Sequence, residues 1–313
     1  MELGTLKISE QKKICTCAFL ILNYETYWEC FDCVKSIYTS IGKNIIDSGA
    51  CVIVIVDNGS QNDSLQRIKN KYRSERNIYI IASHTNLGFA KGNNLGFRYI
   101  KDNFKAKFIC MINSDILITD DDFLSKLVIN YENCKFSVAG PNVVLPSGTP
   151  LNPMKSNLCD SDTADVAIKN LMLKLKLCDL HIEPLVAAWM RVKNKFTQRN
   201  KSLTGVGKTR KLECMAGEQV HGCFIIFSEE YIEKFDGLYD KTFLYGEETL
   251  LRLRCTRCKM SMWYLADLHA LHNESRTEKY TGGKVNERHK RRYTNMLNSL
   301  KVVEEYLADL NEL

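Results

Sequence analysis

The chain has 313 residues, 45% of them hydrophobic, which is room for one large α/β domain or a core domain with an insertion. Its 43 basic and 37 acidic residues are interspersed and leave a formal charge of +6. That balance gives no argument for nucleic acid, so none is expected as a partner, and it suits a phosphate-bearing ligand or an anionic membrane surface. Residues 1–13 lack the apolar core and small-residue cleavage site of an export signal, and no run approaches the roughly 20 apolar residues of a membrane span. A cytoplasmic chain is therefore expected, in which the 13 cysteines act as small apolar side chains. Cys30-Phe-Asp-Cys33 and Cys255-Thr-Arg-Cys258 have metal-like spacing, but both lie in helical segments without a histidine pair, and packing is the expected role.

Cys17–Leu22 is a continuous apolar run, as expected of a strand buried on both faces, and a helical stretch from about Thr26 to Ile41 follows. Cys51–Val56 is β-branched, uncharged and stopped by Asp57-Asn58-Gly59, the marks of a strand and its turn. A helix is expected from Asp63 or Ser64 to about Tyr72, a strand at Ile78–Ile81, and a helix over Lys91–Ile100. The strand Lys107–Ile112 ends in Asn113-Ser114-Asp115, and a helix from about Asp121 to Asn130 and a short strand around Ser137–Ala139 continue the alternation. Repeated β–α–β with short links gives parallel strands joined by right-handed crossovers, and such sheets bind ligands beyond the carboxyl ends of their strands. Asp57 and Asp115 both fall at that edge. After Pro141 the pattern loosens: Pro146, Gly148, Pro150 and Pro153 mark a loop, Leu171–Leu177 fits an edge strand or a helix, and Arg191–Lys211 is strongly basic. From Val220 a strand (Cys223–Phe227), a helix from Ser228, a turn at Phe235-Asp-Gly237, a helix from near Glu247 and a strand at Met262–Tyr264 are expected. An amphipathic helix over about Asn286–Leu310 closes the chain.

A carboxylate at the mouth of a strand, as at Asp57, can accept from a base N–H or a ribose hydroxyl, or it can simply cap the turn. A diphosphate needs neutralising, and a hard divalent cation held by one or two carboxylates does that. In Asn113-Ser114-Asp115 the main ligand would be Asp115, with Asn113 lending an oxygen, touching the sugar or bracing the loop. The run Asn86-Leu-Gly-Phe-Ala-Lys-Gly-Asn-Asn94 has Gly88 and Gly92 for close backbone approach, and Asn93 and Asn94 near a helix start. It is not a phosphate-binding Gly-Lys-Ser/Thr loop, and it follows a third strand, which argues against a dinucleotide fold.

Taken in order, Asn23-Tyr24, Asp57-Asn58-Gly59-Ser60, Asn86–Asn94 with Phe89, and Asn113-Ser114-Asp115 resemble the motifs of glycosyltransferase family 2, in its rhamnosyltransferase-like branch of bacterial surface-polysaccharide enzymes. So do His221-Gly222-Cys-Phe-Ile-Ile-Phe-Ser228, Phe235-Asp-Gly-Leu-Tyr-Asp240 and Phe243-Leu-Tyr-Gly-Glu-Glu248. The resemblance implies an α/β GT-A fold, a mostly parallel sheet flanked by helices. Residues 1–144 would form the nucleotide-sugar half, 145–275 the acceptor and catalytic half, and 276–313 a helical extension. It also implies inversion at the anomeric carbon and Mg²⁺ or Mn²⁺ as cofactor. Asn23, Tyr24, Asp57, Asn86, Gly88, Phe89, Gly92, Asn93, Asn113 and Ser114 would then bind the nucleotide-diphosphate sugar donor. Asp115 and His272, with Ser275 close behind, would hold the metal, His272 fitting better than His269.

In this resemblance Glu248 takes the place of the family's usual aspartate base, one methylene longer, so Glu247 stands as a second candidate; both also favour a helix N-terminus. Leu250 replaces a common aspartate, and Arg254 reads as a structural ion pair with an acidic neighbour. The acceptor would be a saccharide or lipid-linked saccharide. Stretch 191–211 and the start of the C-terminal helix read as solvated charge, with peripheral contact on the inner membrane face as the alternative. A glycosyltransferase-like protein that binds donor without turnover, and a nucleotidyltransferase, are the competing readings. The second normally shows a Gly-rich basic loop where this chain has Asn23-Tyr24-Glu25-Thr26.

Overall fold

The computed structural model describes residues 12–154, 161–182, 214–217, 219–273 and 285–311. Among them, one sheet is built from β1 (Lys13–Asn23), β2 (Cys51–Asp57), β3 (Ile78–Ala82), β4 (Phe104–Asn113), β5 (Ile116–Ile118), β6 (Val138–Val144), β7 (Met215–Ala216), β8 (Phe224–Ser228) and β9 (Met262–His272). The strand order is β3-β2-β1-β4-β8-β6-β9-β5, with β7 also on β9. Strands β3, β2, β1 and β4 run parallel, as the apolar runs predict. β8 inserts antiparallel between β4 and β6, which the alternation of the first half does not foretell.

The helices are α1 (Tyr27–Ile41), α2 (Lys43–Asp47), α3 (Ser64–Tyr72), α4 (Phe89–Asn103), α5 (Phe123–Cys134), α6 (Ser161–Asp179), α7 (Glu229–Lys234), α8 (Glu247–Arg257) and α9 (Val285–Asn311). Period-two alternation along β1 divides its side chains between two cores. Cys17, Phe19 and Ile21 pack with Val34 and Ile37 of α1 and Phe123 of α5. Ala18 and Leu20 face Ala90 and Phe97 of α4, Tyr231 of α7 and Leu251 of α8. Burying one such large side chain contributes about 1.5–3 kcal/mol, so helices on both faces hold the strand ends in place. This is the α/β, mostly parallel, helix-flanked architecture expected of a GT-A domain. Strands from both sides of residue 145 share the one sheet.

Leu171–Leu177 lies within α6, so of the two readings of that stretch the helix is correct. β5 was hidden because three residues, Ile116-Leu-Ile118, follow the Asp115 turn too closely to read as a separate element. Cys30 and Cys33 are fully buried in the α1 face of the core, and Cys255 packs on the other side, in keeping with packing roles. The basic stretch Arg191–Lys211 and Ser275 lie outside the described residues.

Candidate active site

The carboxyl ends of β2, β1 and β4 lie side by side, with Asn23 opposite Asp57 in register and Leu22 opposite Asn113. Strand β1 therefore separates Asp57 from the Asn113-Ser114-Asp115 turn, and the two motifs flank Asn23. Asp57 is buried, and its carboxylate is heavily used. Oδ2 accepts from Asn23 Nδ2 at 2.9 Å and Ser60 Oγ at 2.7 Å, and Oδ1 from the Ser60 amide at 3.0 Å. The Ser60 hydroxyl accepts in turn from the Glu25 amide at 2.8 Å, tying the loop after β1, with half-buried Tyr24, to the loop after β2.

Asn58 performs the same service for the next loop. Its Nδ2 donates to Asn86 Oδ1 and to the Gly88 carbonyl, both at 3.1 Å, and its Oδ1 accepts from the Leu87 amide at 3.0 Å. The sequence marks Asn58 only as part of a turn; its role as a staple depends on contacts 28 to 30 residues away.

Gly88 has a φ of +81°, and a Cβ there would come within 2.3 Å of the Phe243 carbonyl oxygen, which accepts from the Phe89 amide at 2.7 Å. The close approach at Gly88 is thus to the chain's own 243–246 loop. Gly92 packs on Leu22 and Asn58. Asn94 makes a reciprocal pair with Leu238, donating to its carbonyl and accepting from its amide at 2.8 Å each. Asn93 is buried; its Nδ2 donates to the Phe89 carbonyl while its Oδ1 has no partner among the described residues.

Ser114 and Asp115 form the turn between β4 and β5, and β5 pairs antiparallel with the end of β9, Ile116 opposite His272. That register brings Asp115 Oδ2 to 3.1 Å from His272 Nε2. Both are largely buried, and His272 Nδ1 has no partner among the described residues. Asn113 is half-buried at the end of β4, and Ser114 Oγ lies 3.3 Å from Thr26 Oγ1. His269 points elsewhere: it is exposed and pairs through Nδ1 with Asp120, which Lys126 also holds. Its role is structural, and of the two histidines His272 alone meets Asp115.

His221 joins this group. Its ring centroid is 6.3 Å from that of His272, and its Nδ1 accepts from the Cys223 amide at 3.1 Å, which leaves Nε2 to carry the proton of the neutral ring. Burial is the main influence and pushes its pKa down; nearby Glu248 and Asp115 oppose that, while His272 adds to it. The signal for His221 was in the His-Gly-Cys motif, but nothing in one sequence marks it as facing Asp115.

Glu247 and Glu248 open α8 after Tyr245 and Gly246, both at positive φ. They point different ways. Glu247 is buried and accepts from Thr242 Oγ1 at 2.9 Å; burial, then the charge of Glu248, pushes its carboxyl up to about 7. Half-buried Glu248 accepts from the Gly222 amide at 3.1 Å, in the segment that carries His221. A Cβ on Gly222 would sit 2.8 Å from Glu248 Oε1, so glycine is what permits this approach. Leu250 is fully buried against α6 and α9, which explains an apolar residue there. Arg254 makes structural contacts, and its partners among the described residues are neutral: it donates to Tyr231 Oη and the Gly237 carbonyl and stacks over Phe235, where an acidic neighbour is expected.

No group of three or more His, Cys, Asp and Glu side chains among the described residues is arranged to hold a metal alone. Asp115 and His272 are two donors of suitable type. Adjacent ligands on a cation with bonds of about 2.1 Å lie roughly 3 Å apart, close to their observed separation.

A family model described as glycosyl transferase family 2 matches residues 26–194. The chain is 22% identical over 271 residues to the low-salt glycan biosynthesis hexosyltransferase Agl10 of Haloferax volcanii, covering 87% of this chain and 71% of that one. Crystal structures of S. aureus TarS 1-349 with UDP and with UDP-GlcNAc share the fold at 12% identity and a TM-score of 0.51 each. They align with 85% and 87% of this chain, which spans only 62% and 60% of theirs.

Proposed function

The chain belongs to glycosyltransferase family 2, and from that premise we propose that it moves a hexose from a UDP- or dTDP-sugar to a saccharide acceptor, free or lipid-linked, with inversion, in surface polysaccharide synthesis. The observation that carries this reading is the meeting of Asp115 and His272 at the carboxyl edge of the sheet, with Glu248 held on the adjoining segment by Gly222.

In this proposal Asn23, Tyr24 and Asp57 line the nucleotide side. A carboxylate has about four acceptor positions, and three of Asp57's are filled, which leaves one on Oδ1 for a base N–H. The loop of Asn86, Gly88, Phe89, Gly92 and Asn93 shapes the wall beside it, and Asn113 and Ser114 face the sugar and diphosphate. Asp115 and His272 would hold Mn²⁺ or Mg²⁺, the imidazole nitrogen favouring Mn²⁺ because Mg²⁺ prefers oxygen ligands. When bound, the cation neutralises charge developing on the departing diphosphate. Glu248 takes the proton of the acceptor hydroxyl as its oxygen attacks the anomeric carbon, and the Gly222 amide orients the carboxylate for that task. Glu247, occupied by Thr242, supports the loop and is the second candidate.

A thermal-shift screen of UDP, dTDP and their sugars with and without Mn²⁺ tests the reading. At a ligand concentration of about 100 Kd the native state gains roughly 2.7 kcal/mol, so a clear rise in Tm is expected with nucleotide and Mn²⁺ together. That rise should disappear in Asp115→Asn. If no sugar nucleotide raises Tm in either condition, the donor site is wrongly assigned.

A further inference from the structure

Six of the ten large apolar side chains exposed among the described residues lie on the α6 segment and α9: Val166, Met172, Leu173, Leu180, Ile182 and Val285. Helix α6 also buries a separate apolar stripe, Ala164, Leu171 and Cys178 at seven-residue spacing, so these exposed groups are surplus to its packing. The end of α6 meets the start of α9. Asn286 Nδ2 donates to the Cys178 carbonyl at 2.8 Å, Lys290 pairs with Asp179 at 2.5 Å, and the Lys174 ammonium lies 5.4 Å from the Tyr293 ring centre. Met172, Leu173, Leu180, Ile182 and Val285 belong to this tip.

Among the described residues the same tip carries Lys174, Lys176, Arg288, Lys290, Arg291 and Arg292 against two carboxylates, Asp179 and Glu287, the first held by Lys290. Protein interfaces deplete lysine around an apolar centre, whereas a surface lying among anionic headgroups mixes apolar side chains with lysine and arginine. No helix among the described residues is long and apolar enough to cross a membrane.

The position of the tip adds to this. The Arg292 guanidinium lies over the Tyr245 ring at 5.9 Å, and Ser299 donates to the Leu244 carbonyl, so α9 is fastened to the loop in front of Glu247 and Glu248. The seven steps from Val285 to Arg292 span about 10 Å of helix. We propose that the α6–α9 tip is a docking surface for an anionic bilayer, seating the Glu248 side of the molecule at headgroup level. Attachment needs neither donor nor turnover, so it stands or falls separately from the glycosyl-transfer reading.

The test is co-sedimentation of the full chain with phosphatidylcholine vesicles, alone or with about 30% phosphatidylglycerol to supply the anionic surface. Binding to the anionic vesicles only, weakened by high salt, is expected. Leu173→Glu with Leu180→Glu, and separately Lys174→Glu with Lys176→Glu, should each weaken it about tenfold or more with unchanged melting curves. Ile129→Glu, at an exposed apolar site on α5, should leave it intact. The proposal is overturned if anionic vesicles do not bind the protein, or if both double variants bind as wild type. It is equally overturned if the face proves to join two copies, seen as a dimer that Leu173→Glu separates and that ignores vesicles.

Discussion

Two clusters share one edge of the sheet and differ in how their polar groups are used. Around Asp57 and Asn58, every side-chain oxygen and nitrogen of these two residues is engaged with the end of β1 and the loops after β2 and β3, although the neighbouring Asn23 Oδ1 is buried without a partner among the described residues. Around Asp115 and Glu248, His272 Nδ1 is buried without a partner among the described residues, two histidine rings lie close together, and the Glu247 carboxyl is pushed up to about 7. A satisfied network rigidifies loops, whereas unpaired groups and crowded charge cost stability and mark where a ligand would complete the bonding. On the proposed function, the first cluster serves mainly as a frame and the second is where the chemistry would take place.

The largest expected effects separate the two roles inside the second cluster. Glu248→Gln should lower kcat by about 10²–10⁴-fold, the usual worth of a general base, while leaving the Mn²⁺-dependent thermal shift by sugar nucleotides in place. Asp115→Asn should remove both turnover and the shift. Equal turnover by Glu248→Gln and wild type would exclude Glu248 as base and move the role to Glu247.

Glu247 offers a pH test that does not require substrate. Its carboxyl titrates near 4.5 when unfolded and near 7 when folded, so between those values the native state holds a proton that the unfolded chain releases. Native stability is therefore penalised progressively as pH rises from 4.5 to 7, by up to about 3 kcal/mol, and the penalty is complete above 7. Glu247→Gln carries no such penalty and still accepts from Thr242. Urea unfolding should show the variant gaining on wild type at pH 8 and little difference at pH 4.5; an equal difference at both would rule out the buried charge.

Much of this contrast was legible in the chain. Continuous apolar runs such as Cys51–Val56 announce central parallel strands, because only residues buried on both faces need no polar alternation. The carboxylates at their ends follow at once. What could not be read depends on distant pairing. The Ile116–His272 register that creates the Asp115–His272 contact joins segments 156 residues apart through a three-residue strand. Gly88 reads as room for close backbone approach to a ligand, yet it makes room for Phe243, and Gly222, which carries no such reading, makes room for Glu248.

The frame can be tested by loosening it. Asn58→Ala deletes two donated bonds and one accepted bond, and strands the Leu87 amide. A loss of about 2 kcal/mol is expected, read by urea unfolding, with weaker sugar-nucleotide binding but a kcat closer to wild type than that of Glu248→Gln. Unchanged stability would mean the loops do not depend on the staple.

The smallest expected effect falls on His221, which belongs to both descriptions. Its Nδ1 builds the turn into β8 by accepting from Cys223, while its ring stands beside His272 and Glu248. His221→Asn can keep the accepted bond through Oδ1 and removes the Nε2 proton donor; His221→Ala removes both. If the ring positions a substrate oxygen, Asn should lose about tenfold in kcat/KM, the worth of one hydrogen bond of about 1.4 kcal/mol, at unchanged Tm, and Ala should lose Tm as well. A ring that only shapes the turn would leave Asn with wild-type turnover. The pair of variants therefore decides on which side of the comparison His221 stands, since only a group of the reactive cluster can affect kcat/KM without affecting the fold.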